Sequence, residues 1–582
     1  MIKFLVLLIV CSFSCAAKLD YAQAKKYFAD GRYAEAAKTF AYVGAHRRHL
    51  KSYCDYYRAA AAFEQGRYAE SARLLEKYTA QANIPYKTEA LELLNENYLK
   101  LKRDKEVHPL AAYGQALKLF HKSDYAGALR LLKVVSANNA LSVLPEDAYY
   151  YLARSYMYCA EPQTARKILG SRSGAGAVYY LGVLAQRQKQ HKLADSRFLE
   201  VWRKYPDSDY APQALFNLAR QSSGQLRLNY YRRLYQRYPQ SRYADDAAWE
   251  AGWTDYQNKQ YRAAAEIWLA GYALDKKSDN ADALLYWSGK ARQKLGDKAG
   301  AEQIFVRARR EFPARFYGWR AAQQLGLSPE LPAGSLRLQD VRPRTNKTLR
   351  EFLAIGAYDD AQAEAGLIAD KEQKKQTLSA LKIYLADAAH QAGDYKEAIL
   401  LALDALDSNP DYAAILPELW RICYPKAFVR EVEKHSRAYA LDENYVYALI
   451  REESLYDEFA LSPANACGLM QLLPRTAAQI LQKLNISADP EPEALYQPDI
   501  NILLGAYYLR EMLNRFEGSP YLALAAYNAG PAAAGRWLKP AGGIAGMDVD
   551  AFVENIRYPE TRNYVKRVMR GCWLYAALYA ED

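Results

Sequence analysis

Apolar and polar positions follow a helical period along most of the chain, and from residue 18 to about 410 a short phrase recurs within that pattern. "ADGRYAEAAKTF" around Tyr33 returns as "EQGRYAESARLL" around Tyr68, "HKSDYAGALRLL" around Tyr125, "QNKQYRAAAEIW" around Tyr261, "AIGAYDDAQAEA" around Tyr358 and "QAGDYKEAILLA" around Tyr395. The first two copies stand 35 residues apart and the last two 37, near the period of helix-turn-helix solenoids such as tetratricopeptide repeats. Each copy puts glycine or a polar residue in a turn, an aromatic at the start of a helix, and small residues where the paired helix packs close. The other intervals are irregular, so the pattern predicts an all-α, long curved solenoid rather than a regular array. "LGLSPELPAGSLRLQDVRPRTN", Leu325 to Asn346, interrupts the helical pattern with prolines and glycine. The phrase stops near "CYPKAFVREVEKHSRAYALDENY". These breaks divide the chain into a leader (1–17), an α-superhelical region (18–330), a linker helical region (331–424) and a C-terminal domain (425–582).

Within that last domain, "DENYVYALIREES" places Val446, Leu449, Ile450 and Glu453 at offsets of 3, 4 and 7. At about 100° per residue the Glu453 carboxylate lies mid-stripe on an apolar helix face, with Glu452 toward the edge. A carboxyl held against apolar side chains has its charged form disfavoured and its pKa raised, which suits a proton donor at neutral pH.

Composition narrows the setting. The 582 residues, 51% hydrophobic and 25% charged, describe a globular chain long enough for several domains. The start "MIKFLVLLIVCSFSCAAK" has one lysine, an apolar run from Phe4 to about Phe13 and small residues to Ala17. It reads as a cleaved signal peptide, and export to the periplasm follows; a lipid-modified Cys15, with membrane association, is the alternative. The net charge of +12 is spread along the chain and favours an anionic partner; for an exported chain a cell-wall glycan with acidic peptides fits better than nucleic acid. Cys54, Cys159, Cys423, Cys467 and Cys572 lack any CxxC spacing, so they read as buried small residues rather than metal ligands. The 50 tyrosines read chiefly as packing residues with hydroxyls at the rim.

Absences then narrow the chemistry. No histidine follows His435, so the C-terminal domain can assemble neither an HExxH zinc site, a Ser-His-Asp triad nor a Cys-His pair from its later residues. No Gly-rich phosphate loop or dinucleotide fingerprint occurs, and no cofactor is expected. Carboxylate chemistry remains, with Glu453 in the most acid-like setting.

"ALIREES", "SPANACGLMQLLP", "LALAAYNAG" and "PETRNYV", in this order and spacing, resemble the catalytic domain of the soluble lytic murein transglycosylases, which has a goose-lysozyme-like fold. The solenoid and "FYGWRAAQQLG" at Phe316 to Gly326 resemble the large, doughnut-shaped periplasmic members of that family. The resemblance implies Glu453 as catalytic acid/base, with Ser454 completing a Glu-Ser signature. It implies Ser462 near the sugar N-acetyl group, and Gly468, Leu469, Met470 and Gln471 along the glycan groove. Tyr527 and Asn528 would face the carboxylate, while Glu560 and Tyr564 supply a second acidic position and a groove tyrosine. Asn465, Cys467 and Leu473 depart from the family's usual residues.

Glycosidases that hydrolyse usually use two carboxylates, whereas only Glu453 has a buried setting here. The family pattern supplies the missing partner from the substrate. It implies cleavage between N-acetylmuramic acid and N-acetylglucosamine in peptidoglycan, leaving 1,6-anhydro-N-acetylmuramic acid ends. Other cell-wall enzymes are possible partners. The alternatives are a hydrolytic lysozyme on the same fold and a non-enzymatic solenoid adaptor that only binds glycan.

Overall fold

The computed structural model describes residues 21–580 apart from 329, 330, 332, 333, 344, 410 and 487–491. The signal-peptide reading and Cys15 therefore lie outside the described residues. Every extended element among the described residues is helical; the sole β pairing consists of isolated bridges, Leu461 with Cys467 and Cys467 with Leu472. No described helix is long and apolar enough to cross a membrane. The chain forms two compact units, Met1–Ala251 with Arg344–Leu378, and Gly252–Pro343 with Ser379–Asp582.

The recurring phrase has one local structure wherever it occurs. Its tyrosine is the first residue of a helix in all six copies: Tyr33–His46, Tyr68–Thr79, Tyr125–Ala137, Tyr261–Leu274, Tyr358–Gly366 and Tyr395–Ser408. Two positions earlier the backbone is left-handed, at Gly31, Gly66, Gly356 and Gly393 but also at Ser123 and Lys259, where a side chain must bear the cost that glycine avoids. Three positions after the tyrosine a small side chain is fully buried: Ala36, Ser71, Ala128, Ala264, Ala361 and Ala398 are each 0% exposed. That is where the paired helix makes its close approach.

The tyrosine packs edge-to-face on a ring five residues upstream. Phe28–Tyr33, Phe63–Tyr68, Phe120–Tyr125 and Tyr256–Tyr261 have centroid separations of 5.3, 5.4, 5.0 and 5.1 Å and interplanar angles of 65–74°. Such pairs contribute roughly 0.5–1.5 kcal/mol beyond area burial, so each clamps the turn between two helices.

In the first unit, residues 346–364 pack on the earliest helices of the chain. Phe352 meets Tyr21 and Tyr53, and Glu351 is held by Arg47 and by His49 Nε2 at 2.8 Å. In the second unit, the helix Phe316–Gln324 packs on the helix Pro559–Leu578, where the Trp319 and Trp573 rings stack 5.7 Å apart at 3°, and the helices Ala281–Lys294 and Phe316–Gln324 meet the helix Val549–Glu554. Buried Asp550 joins them electrostatically. It accepts from Tyr286 OH (2.7 Å), Lys290 Nζ (3.0 Å) and Arg320 Nε (2.6 Å), and these cations hold its pKa below the usual carboxylate value despite burial.

Candidate active site

The helix Glu443–Ser454 begins at Asp442, whose carboxylate accepts from Asn444 N–H at 2.9 Å, and ends where Leu455 and Tyr456 both turn left-handed. Val446, Leu449 and Ile450 are fully buried, as the apolar stripe requires. Glu453 therefore sits on that face in the last turn, where the helix macrodipole also disfavours negative charge. The neighbouring helix Pro559–Leu578 comes close because Gly571 has no side chain; a Cβ there would lie 3.1 Å from Ala448 Cβ. This proximity lets Tyr564 OH donate to Glu453 Oε1 at 2.6 Å.

Desolvation is the main reason the Glu453 carboxyl is pushed up to about 7. The Tyr564 hydrogen bond opposes that rise, while the charges of Glu452 and Glu560 add to it. The ion pairs among the described residues leave Glu453 out. Arg451, two residues before it, donates to Cys423 O at 2.6 Å and stacks over Tyr424. Arg567 pairs instead with Glu452, 2.6 Å away.

A tight loop follows the acid. Ser462 Oγ accepts from Ala464 and Ala466 N–H at 3.2 and 2.9 Å, and Gln471 Nε2 donates to Ala460 O (3.0 Å) and Gly468 O (2.9 Å). Gly468 has φ +76°, and a Cβ would lie 2.3 Å from Leu495 O, so glycine is required there on both counts. Leu469 and Met470 are buried, and Ser454 donates its hydroxyl to Leu469 O at 2.9 Å, tying the acid's helix to the loop. Tyr527 OH donates to Met470 O at 3.0 Å, and burial, with the Glu453 charge adding to it, raises the Tyr527 pKa.

The structure thus brings Glu453, Ser454, Met470, Tyr527 and Tyr564 together. Asn528 is exposed and accepts from Thr561 Oγ1 at 2.6 Å; Glu560 is exposed in the first turn of its helix. Asp457 pairs with Lys396 at 2.8 Å. Among the described residues no group of three His, Cys, Asp or Glu is arranged to hold a metal ion.

Asn501 is an organising residue that the sequence patterns did not single out. Fully buried, it accepts from Met470 N–H at 2.7 Å and donates to Cys467 O and Leu495 O at 3.0 and 2.7 Å. Its signal was a lone amide inside the apolar run "INILLGA".

Residues 431–546 match the transglycosylase SLT domain. The soluble lytic murein transglycosylase of Escherichia coli K12 is 29% identical over 315 residues, 53% of this chain and 45% of that protein, so the match spans about half of each. A putative soluble lytic murein transglycosylase of Haemophilus influenzae is 34% identical over 173 residues, 29% of each chain. Among solved structures, the lytic transglycosylase Slt of Pseudomonas aeruginosa aligns at TM-score 0.59 and 20% identity over 96% of both chains. The 70 kDa soluble lytic transglycosylase of E. coli aligns at 0.53 and 19% over 97% of both. These likenesses establish the fold as an α-superhelix with a lysozyme-like domain, and residues 431–546 carry a transglycosylase SLT domain similar to that of the soluble lytic murein transglycosylases.

Proposed function

We propose that this protein is a periplasmic peptidoglycan lytic transglycosylase whose catalytic domain begins near residue 425 and whose single acid/base is Glu453. The observation that supports this most directly is a carboxyl pushed up to about 7 by burial, hydrogen-bonded by Tyr564 and, among the described residues, paired with no cation. It is protonated often enough at neutral pH to donate, and deprotonated readily enough to take a proton back. The solved P. aeruginosa relative is an inactive mutant in which a glutamate is replaced by glutamine, which fits one indispensable carboxyl. Periplasmic placement rests on the leader-like residues 4–17.

In this reading Glu453 protonates the glycosidic oxygen between N-acetylmuramic acid and N-acetylglucosamine. The bond from C1 to that oxygen breaks, the N-acetylglucosamine side departs with the proton as its hydroxyl, and the substrate's acetamido group stabilises the cationic C1 beside the Glu453 carboxylate. That carboxylate removes the proton from the muramoyl C6 hydroxyl, whose oxygen bonds to C1. The acid is restored without water. Tyr564 holds the carboxyl's orientation through both steps, and Ser462, Gly468, Gln471 and Asn528 are assigned to the glycan groove. Leu469, Met470 and Ser454 support that groove from the core side, and Glu560 contributes charge rather than proton transfer.

Digestion of purified peptidoglycan tests the reading. The expected muropeptides are one water lighter than hydrolysis products and resist borohydride reduction. Reducible, hydrated ends would instead favour a lysozyme, with Glu560, whose charge already reaches Glu453, as second carboxylate. Binding without cleavage would favour the adaptor.

A further inference from the structure

The helix Pro559–Leu578 has a second polar face beside the one that carries Tyr564. Asn563, Lys566, Arg567 and Arg570, at offsets of 0, 3, 4 and 7, line an open cleft of about 690 Å³ completed by residues 279–283 and 315–317. Four cationic side chains, these three and Arg315, face it against two carboxylates, Asp279 and Asp282. Asp282 is already committed, since it accepts from Tyr317 N–H at 3.2 Å and lies 3.5 Å from Arg315.

The cations are held but not exhausted. Lys566 Nζ lies 2.6 Å from Glu554, and Arg570 donates one Nη2 bond to Tyr424 OH at 2.9 Å while its buried Nε has no partner. Arg567 directs both Nε and Nη2 to one oxygen of Glu452, yet its side chain is 50% exposed. The Arg567 and Arg570 guanidinium groups, fixed on one helix face, match the oxygen geometry of carboxylate and phosphate, and each has more N–H donors than the single partner it meets takes up.

We propose that this cleft binds an anionic ligand presenting a carboxylate or phosphate group, and that Arg567, shared between ligand and Glu452, couples its occupancy to the adjacent Glu453. An anion that recruits Arg567 weakens its hold on Glu452, leaving a less compensated negative charge next to the acid. The binding half stands on the cleft alone; the coupling half rests on the function proposed above.

Titration calorimetry of the whole chain in low-salt neutral buffer, with inorganic phosphate and with glutarate as probes, tests both halves. Saturable one-to-one binding of either probe is expected, and whichever binds more tightly identifies the ligand class. Asn563→Asp adds charge at an exposed position without breaking any pair, and Lys566→Gln removes a lining cation. Each should weaken binding about tenfold. Glu452→Gln frees Arg567 and should tighten binding about threefold. No saturable binding by either probe, or binding indifferent to Asn563→Asp and Lys566→Gln, overturns the site. Binding unchanged by Glu452→Gln overturns the coupling. A chain that binds the probe yet cleaves no glycan leaves the site standing and refutes the enzymatic reading instead.

Discussion

The buried acids of the first unit and Glu453 of the C-terminal domain are treated in opposite ways. In the first unit Glu351, 9% exposed, is met by Arg47 and His49, and Asp360, fully buried, by Lys25 at 3.1 Å and Tyr86 OH at 2.7 Å. Each joins residues some 300 positions apart, and cations and hydroxyls offset the desolvation of the charge. Glu453 is desolvated too but, among the described residues, receives only the Tyr564 phenol. The acids that hold helices together are given cations, whereas Glu453, left without one, has its carboxyl pushed up to about 7 by desolvation. The missing partner, rather than burial itself, separates a proton donor from a structural charge.

Glu453→Gln breaks that contrast most severely. The amide keeps the shape and can still meet Tyr564, but has no proton to transfer. Turnover of peptidoglycan should fall by about 10³-fold or more, about 4 kcal/mol in barrier, with glycan binding retained. A variant that keeps more than about one tenth of wild-type turnover refutes the assignment.

Asp550→Asn makes the opposite test. It strips the charge from the meeting point of Lys290 and Arg320, whose side chains are 11% and 13% exposed. Two buried cations then lose their main counter-charge, though Asp548, 3.4 Å from Lys290, softens the loss. Denaturant unfolding should show about 3 kcal/mol less stability, with the folded fraction still cleaving glycan. A loss of turnover without a loss of stability would mean that Asp550 belongs to the chemistry.

The two carboxyls should also respond oppositely to pH. Glu453 has a folded pKa near 7 against a model-compound value of 4.5, so between those values the native chain binds more protons than the unfolded one. Stability therefore falls as pH rises through that window. Glu453→Gln removes the penalty and should be more stable than wild type at pH 8, by about 2 kcal/mol after allowance for partial exposure, with the difference gone near pH 4. Equal unfolding curves at pH 8 would show that Glu453 titrates as an ordinary glutamate.

Local patterns made the helices legible and left the ties between them hidden. The turn position before each repeat tyrosine, the small residue after it and the Glu453 stripe are all set by neighbours within about one heptad, so the sequence displays them. The Asp550 cluster joins residues 230 to 264 positions apart, and no period reports such a meeting. Ser462, Gly468 and Gln471 were readable through the family motif, but Asn501, which bonds to three backbone groups of the loop and its surroundings, lies outside that motif. The left-handed turn at Leu455 and Tyr456 escaped as well, because neither residue advertises positive φ as glycine does.

The smallest expected effect sharpens the comparison most, because it changes the one hydrogen-bond partner that Glu453 has among the described residues. Tyr564→Phe removes the 2.6 Å hydrogen bond and little else, since the ring stays to pack. That bond favours the ionised carboxylate, so its loss should raise the Glu453 pKa further above 7. Donation needs the protonated acid, so kcat/KM is full at low pH and is lost as pH rises through that pKa; the basic limb should move upward in the variant. The rate at its optimum should nevertheless fall about tenfold, about 1.4 kcal/mol, because the carboxyl loses its fixed orientation and the carboxylate that must later accept the C6 proton loses its donor. A basic limb that moves downward, or stays in place with the rate unchanged, would show that Tyr564 packs beside the acid without governing its proton.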